Sequence, residues 1–310
     1  MPHNVTVGVD GSPAALAAAH WAAREARRRG TGLEIVHAWR PHPQPSPYVP
    51  LDFTEHGWAA ALLREAVDSV RRAHGDVPVT DRLVRGATVD ALIAAAAESE
   101  PLVLGSLGLS AIGGFVTGSV SQRAVARFPR PVVLVRAGQD AADEHLPPAD
   151  GVAPEEIPAT PYRQVVLGLD IGRPCDELIE FAFDAARRRS TGLRVVHAFK
   201  APPQPASDAT LTVAPAAPQL PVSGPRQLAA QERAVVAAVR PWGEKYPTVP
   251  VSETVVSGRA AGALVDAAGD AGLVVVGRRT GAGIPGSHVG PITHAVLHHV
   301  RCPVAVVPHA

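Results

Sequence analysis

Gly105, Gly108 and Gly118 are spaced Gly-x2-Gly-x9-Gly and followed at once by Ser119, between the end of an apolar run and a helix-forming stretch. Residues without a Cβ let backbone N–H groups approach an anion closely, and a helix N-terminus with a hydroxyl attracts one. The chemistry this suggests is a phosphate cradle. Three other segments end apolar runs in the same way. Asp10-Gly11-Ser12 supplies a carboxylate for ribose hydroxyls or a metal, Ala38 offers backbone edges for adenine, and Arg85-Gly86 closes the third run.

Each feature also has a plainer reading. A glycine-rich loop after a strand is commonly just a tight turn. Asp10 could cap or brace the following helix, and His37 and His197 read as hydrogen-bonded histidines at strand ends rather than acid–base catalysts. The nucleotide reading rests on convergence, because ligands of open parallel sheets bind beyond the carboxyl ends of the strands.

The elements that position these residues occur twice. Ala26 to Trp39 aligns with Ala186 to Phe199 at an offset of 160, with ten of fourteen residues identical. The offset becomes 172 after the Pro-rich stretch between Lys200 and Pro225, so copy two carries a 12-residue longer loop. A chain of 310 residues accommodates two domains of this size without staples. Residues 137 to 161 hold six acidic residues, five prolines and no Lys or Arg, the composition of an exposed linker. The expected division is therefore domain 1 over 1–137, linker over 138–161 and domain 2 over 162–310.

Within each copy the expected order is βαβ, loop, αβαβαβ. Strands are expected at Val5 to Asp10, Leu33 to Ala38, Val79 to Val84, Pro101 to Gly105 and Pro131 to Arg136. In copy two they fall at Gln164 to Asp170, Leu193 to Ala198, Val251 to Val256, Leu273 to Gly277 and Pro303 to Pro308. Alternation of this kind gives parallel pairing through right-handed crossovers, and hence an α/β fold of two tandem, doubly wound, five-stranded parallel-sheet domains, Rossmann-like. Ser12 reads as an N-cap, with Pro13 in the first turn. The last strands, Pro131 to Val135 and Pro303 to Val307, are apolar edges expected to pair the copies about an approximate two-fold axis.

Formal charge is zero and the N-terminal stretch lacks a signal pattern, so neither nucleic acid nor a membrane is an expected partner. Cys175 and Cys302 form no metal or disulfide framework, which points to a reducing compartment, the cytoplasm. The runs Arg27 to Arg29 and Arg187 to Arg189 read as solvated helix ends. His294, His298 and His299 near Cys302 read as one face of an amphipathic helix rather than a metal cluster. Gly281-x-Gly283-x-x-Gly286 reads as a loop, because it starts several residues after its strand and no acidic residue follows at the dinucleotide spacing. No P-loop motif and no HExxH is present.

Val7-Gly-Val-Asp10-Gly-Ser, the Val-His-Ala strand ends, and the spaced glycines before Arg130-Pro-Val-Val-Leu-Val135 together resemble the universal stress protein family. The resemblance covers both copies. It implies an adenine-nucleotide-binding fold similar to the adenine-nucleotide alpha hydrolases, usually paired as two domains, with ATP held by the glycine loop in one branch. By matching positions, it assigns Asp10 to ribose or a bound Mg2+, Ala38 to the base, and Leu104 and Gly105 to the underside of the nucleotide. Gly108, Gly118, Ser119 and Val120 fall to ribose and phosphates; Gly11, Ser12 and Gly86 line the same mouth.

The second site would be Asp170, Ala198, Gly258, Gly277 and Gly290. There Thr280 replaces the second glycine, Pro291 replaces the serine and Arg173 replaces Ser12, so a weaker site is expected. The expected function is binding of ATP, with Mg2+ carried by the nucleotide, in a stress-response regulator. Slow ATP hydrolysis or nucleotidyl transfer, and a nucleotide-free scaffold, are the alternatives. Expected partners are an adenine nucleotide, the other copy in the chain, a second chain in a homodimer, and a protein partner of unknown identity.

Overall fold

The computed structural model describes residues 3–40, 55–106, 119–147, 160–200, 223–280 and 289–310. Copy one runs β1 (Val5–Gly8), α1 (Pro13–Arg29), β2 (Leu33–Trp39), α2 (Glu55–Ala73), β3 (Val79–Arg85), α3 (Thr88–Ala95), β4 (Leu102–Ser106), α4 (Ser119–Arg127) and β5 (Val132–Arg136). Copy two repeats it as β6 (Gln164–Gly168), α5 (Asp176–Arg188), β7 (Leu193–Phe199), α6 (Ser223–Lys245), β8 (Val251–Ser257), α7 (Ala260–Ala267), β9 (Ala271–Arg279), α8 (Pro291–His299) and β10 (Val304–His309).

The two five-stranded units form one sheet of ten strands, ordered β3-β2-β1-β4-β5-β10-β9-β6-β7-β8. Pairing is parallel within each copy and antiparallel where β5 meets β10, with Val133 opposite Ala305. The final strands thus join the copies as their apolar edges require. Alternate strand residues feed two cores. Val5, Val7, Val103 and Val133 face α1 and α2, while Leu102, Leu104, Val132 and Leu134 face the α3 and α4 side. Each core contains residues of both copies.

Helix α1 lies close to the sheet because its inner face is nearly all alanine: Ala15, Ala18, Ala19, Ala22, Ala23 and Ala26 are buried. It begins on the Ser12 cap and ends at Gly30 in the left-handed region, at φ 64°. The edge strands β3 and β8 are not covered on both faces. Asp81 and Arg82 in β3, and Ser252 and Glu253 in β8, are exposed, which discourages further pairing of open edges.

Two other expectations are corrected. The arginine runs are not uniformly solvated, because the side chains of Arg28 and Arg189 are buried between the copies. Nor is the linker entirely exposed. Glu144 and His145 are buried, Glu144 is paired with Arg24 and Arg28 of α1, and the His145 ring packs on Tyr162. Composition marks a linker, but a single carboxylate facing two buried guanidiniums overrides it.

Candidate nucleotide site

In copy one the sheet order places β1 between β2 and β4, so the topological switch lies between β1 and β4. Register sets Gly8 beside both Val36 and Leu104, and the strand-end segments at Asp10, Ala38 and Gly105 therefore share one end of the sheet. His37 Nδ1 donates to Val9 O at 2.7 Å and ties the two strand ends together. His197 repeats the bond to Leu169 O at 2.9 Å. Both histidines serve as tethers at strand ends, the plainer of their two readings.

Asp10 is exposed and its Oδ1 accepts the Ser12 N–H at 3.0 Å. Gly11 between them has φ 82°, a backbone open to glycine. Ser12 Oγ accepts Ala15 N–H at 3.1 Å and caps α1. The carboxylate braces this turn and is open to solvent at the sheet end. One exposed carboxylate fits a divalent ion carried mainly by phosphate oxygens, not a protein-built metal cage.

Gly105, next to last in β4, lies directly beneath the first turn of α1. A Cβ there would lie 2.6 Å from Ala14 C and Ala15 N, so glycine lets the helix backbone reach the strand. Ser121 Oγ donates to Gly105 O at 2.9 Å and anchors α4 to the strand end. Helix α4 begins at Ser119, and Val120 packs partly buried against the core beneath it. Gly86 has φ 153° and its N–H donates to Trp39 O at 3.0 Å, holding the β3 end beside β2. Gly108 and Gly118 lie outside the described residues, as does the Gly281 to Gly286 loop.

Copy two preserves the frame and alters the mouth. Asp170 Oδ1 accepts Gly172 N–H at 3.0 Å, Gly258 has φ 155°, and Thr293 Oγ1 donates to Gly277 O at 2.9 Å. Ala198 is next to last in β7 as Ala38 is in β2, and Gly290 is the N-cap of α8. Helix α5, however, starts at Asp176, three residues later than the duplication aligns it with Pro13. The imidazole of His309 lies where that first turn would have packed. A Cβ on Gly277 would sit 2.7 Å from His309 Nε2, not against helix backbone. Thr280 N–H and Oγ1 both donate to His309 O, at 2.6 and 2.8 Å, so two donors near the glycine position are already used.

Sequence reading missed the shortened helix, whose signal is the loss of the Ser12-Pro13 start: at the offset of 160 Gly172 and Arg173 stand in their places, so Arg173 answers to Pro13 and not to Ser12. It also missed the Ser121 and Thr293 anchors, which recur at the offset of 172.

Burial pushes the Cys175 thiol up to about 11, with the Glu177 hydrogen bond adding to it, and burial pushes Cys302 to about 12. Both thiols stay protonated at neutral pH and are not nucleophiles. His294 and His298 sit with their Nε2 atoms 3.1 Å apart on α8, and no metal-holding group of three His, Cys, Asp or Glu occurs among the described residues. No helix among the described residues is long and apolar enough to cross a membrane.

The fold defines a tandem, doubly wound α/β protein with a strand-order switch in each copy. Residues 1–136 and 161–308 match the Universal stress protein family, and the chain belongs to it. Universal stress protein Rv2005c of Mycobacterium tuberculosis is 34% identical over 316 residues, covering 98% of this chain and 96% of its own. Universal stress protein Rv2623 of the same organism is 30% identical, covering 97% and 95%. A universal stress protein from Archaeoglobus fulgidus shares the fold along the full length of both chains, with a TM-score of 0.68 at 15% identity.

Proposed function

We propose that copy one binds ATP, with Mg2+ carried on the phosphates, and that the chain is a cytoplasmic stress-response regulator acting through a protein partner. The supporting observation is that Asp10 and Ser12 follow β1 while Ala38 and Gly105 are the next-to-last residues of the neighbouring β2 and β4, all at the end of the sheet where the β1 and β4 switch lies, with the N-terminus of α4 following the glycine segment. Such an arrangement suits ribose, base and phosphate in turn. Leu104 and Val120 would support it from below, and Gly11 and Gly86 would keep the turns open. Copy two is proposed as the weaker site, on account of its shortened α5 and the engaged Thr280. The two units are taken as 1–137 and 162–310, joined by 138–161, and a homodimer of whole chains is proposed beyond the internal pair.

Acid extraction of the purified protein followed by nucleotide chromatography tests the reading directly. Adenine nucleotide near one per chain, or a thermal shift on adding ATP, is the expected result. Neither appearing would reject it. Gly118→Val should abolish the shift and Gly290→Val should leave most of it. Release of ADP over many turnovers, lost in Asp10→Ala, would replace binding with hydrolysis.

A further inference from the structure

The seam between the copies gathers more buried cations than carboxylates. Arg24, Arg28 and Arg29 of α1 and Arg189 just after α5 have side chains only 12, 7, 10 and 1% exposed. The carboxylates among them are Glu25 and Glu144, each 2% exposed. Both are fully engaged. Glu25 accepts from Arg29 Nε at 2.7 Å, Arg28 Nε at 3.1 Å and Arg189 Nη2 at 2.9 Å. Glu144 accepts from Arg24 Nε at 2.7 Å and Arg28 Nη1 at 2.8 Å. The adjacent Arg188 is matched by Asp184. Each guanidinium touches a carboxylate, but four guanidiniums against two carboxylates leave a net excess of two positive charges.

The duplication explains the excess. Arg29 lies over the Phe181 ring and Arg189 over the Trp21 ring, each 5.8 Å from the centroid, so the pairs exchange under the approximate two-fold axis. The axis therefore brings two arginine runs face to face. Glu25 answers only one side, because its counterpart in copy two is Ala185. Aromatic faces, including Tyr162 under Arg28, offset part of the charge.

Donors are in excess as well. Arg24 Nη2, Arg28 Nη2, Arg189 Nε and Trp21 Nε1 are buried and make no hydrogen bond to the protein. Arg28 and Arg189 each lie 5.8 Å from the Trp21 ring centroid, so the three side chains belong to one buried cluster. Buried water would satisfy these donors but leave the charge. An anion satisfies both.

We propose that the interdomain seam is a binding site for a small monovalent inorganic anion of the halide class, held by Arg28, Arg189 and the indole N–H of Trp21. It is distinct from the nucleotide crevice and joins the two copies, so its occupancy couples halide concentration to domain pairing.

Crystals of the full chain grown with bromide in place of chloride provide the direct test. An anomalous peak within hydrogen-bonding distance of Arg28, Arg189 and Trp21 Nε1 is expected. Thermal unfolding at constant ionic strength should show a higher midpoint in chloride or bromide than in gluconate, by a few degrees. Trp21→Phe keeps the ring packing, removes one donor and should shrink that difference. The proposal is overturned if the donors are bonded to ordered water with no anomalous peak at the seam, or if halide and gluconate give equal midpoints in the unaltered chain. The wild-type measurements decide the matter even if the variant folds poorly.

Discussion

At Gly105 the demand for glycine comes first from the protein itself. The backbone of Ala14 and Ala15 occupies the Cβ position, so Gly105→Ala must displace the first turn of α1. Overpacking of this kind costs about 1–3 kcal/mol, and a loss of that size should appear in urea unfolding even without nucleotide. Ser12→Ala removes the cap on Ala15 N–H and should cost about 1 kcal/mol. A third residue makes stability depend on pH. His74 is buried behind α1 and α2, with its Nε2 3.1 Å from His20 Nδ1, and Ser69 Oγ lies 3.2 Å from His20 Nε2. Burial, then the neighbouring His20, Arg24 and Arg27, lowers His74 to about 4, with Asp76 opposing, and burial with Arg24 lowers His20. A histidine with a depressed folded pKa contributes stability that is complete above the unfolded value, about 6.5, and is lost as pH falls toward 4. Urea midpoints should fall between pH 7 and pH 4.5. The fall should be shallower in His74→Gln; equal slopes would count against a protonation-linked role for His74.

At the scale of elements, the chain announced most of its architecture. Alternating apolar runs mark the strands, Ser12-Pro13 marks the start of α1, and the repeated final strands mark the join between copies. What escaped notice depends on contacts between distant segments. A run such as Arg27 to Arg29 looks the same whether its helix end meets water or another helix, and only the folded pair shows Arg189 reaching Glu25. One local sign existed: Glu25 is an acidic residue within the alanine-lined buried face of α1. Similarly, nothing adjacent to Glu144 distinguishes it from the other acids of the linker, yet it alone is shown clasped by Arg24 and Arg28 among the described residues. Burial pushes the Glu144 carboxyl up, and Arg28, Arg24 and Arg189 outweigh that effect to hold it below its usual value. Glu144→Ala leaves Arg24 without its carboxylate and Arg28 with Glu25 alone, and should cost about 3–5 kcal/mol, the range for breaking a buried pair. Asp143→Ala, one residue away, removes only an exposed hydrogen bond from Asp140 N–H and should cost far less in the same thermal unfolding assay.

Across the whole molecule the two copies are built to meet, but not equally well with themselves. Both β5 and β10 present apolar edges, so separating residues 1–137 from 162–310 exposes a strand in each. Two molecules of copy one could pair by the same antiparallel edge. They would bring Glu25 of each opposite Arg29 of the other, since Arg29 stands where Arg189 stands in copy two. Without Glu144, however, that pairing sets Arg24, Arg28 and Arg29 of both molecules, six guanidiniums, against the two Glu25 carboxylates. Two molecules of copy two would bring Arg189 opposite Ala185, with Asp184, which lies near Arg29 in the whole chain, as the remaining carboxylate. Each self-pairing buries guanidiniums less well matched than in the whole chain, and such charges are costly. Both halves should therefore self-associate weakly, while mixing copy one with a copy two that keeps residues 138–161, and so Glu144, should form the heterodimer preferentially. Sedimentation of the two halves alone and together measures this. Ala185→Glu in copy two supplies a further carboxylate and should strengthen self-pairing. Self-pairing of the unaltered halves as tight as their hetero-pairing would show that the strand edges, and not the arginine seam, decide which copies join.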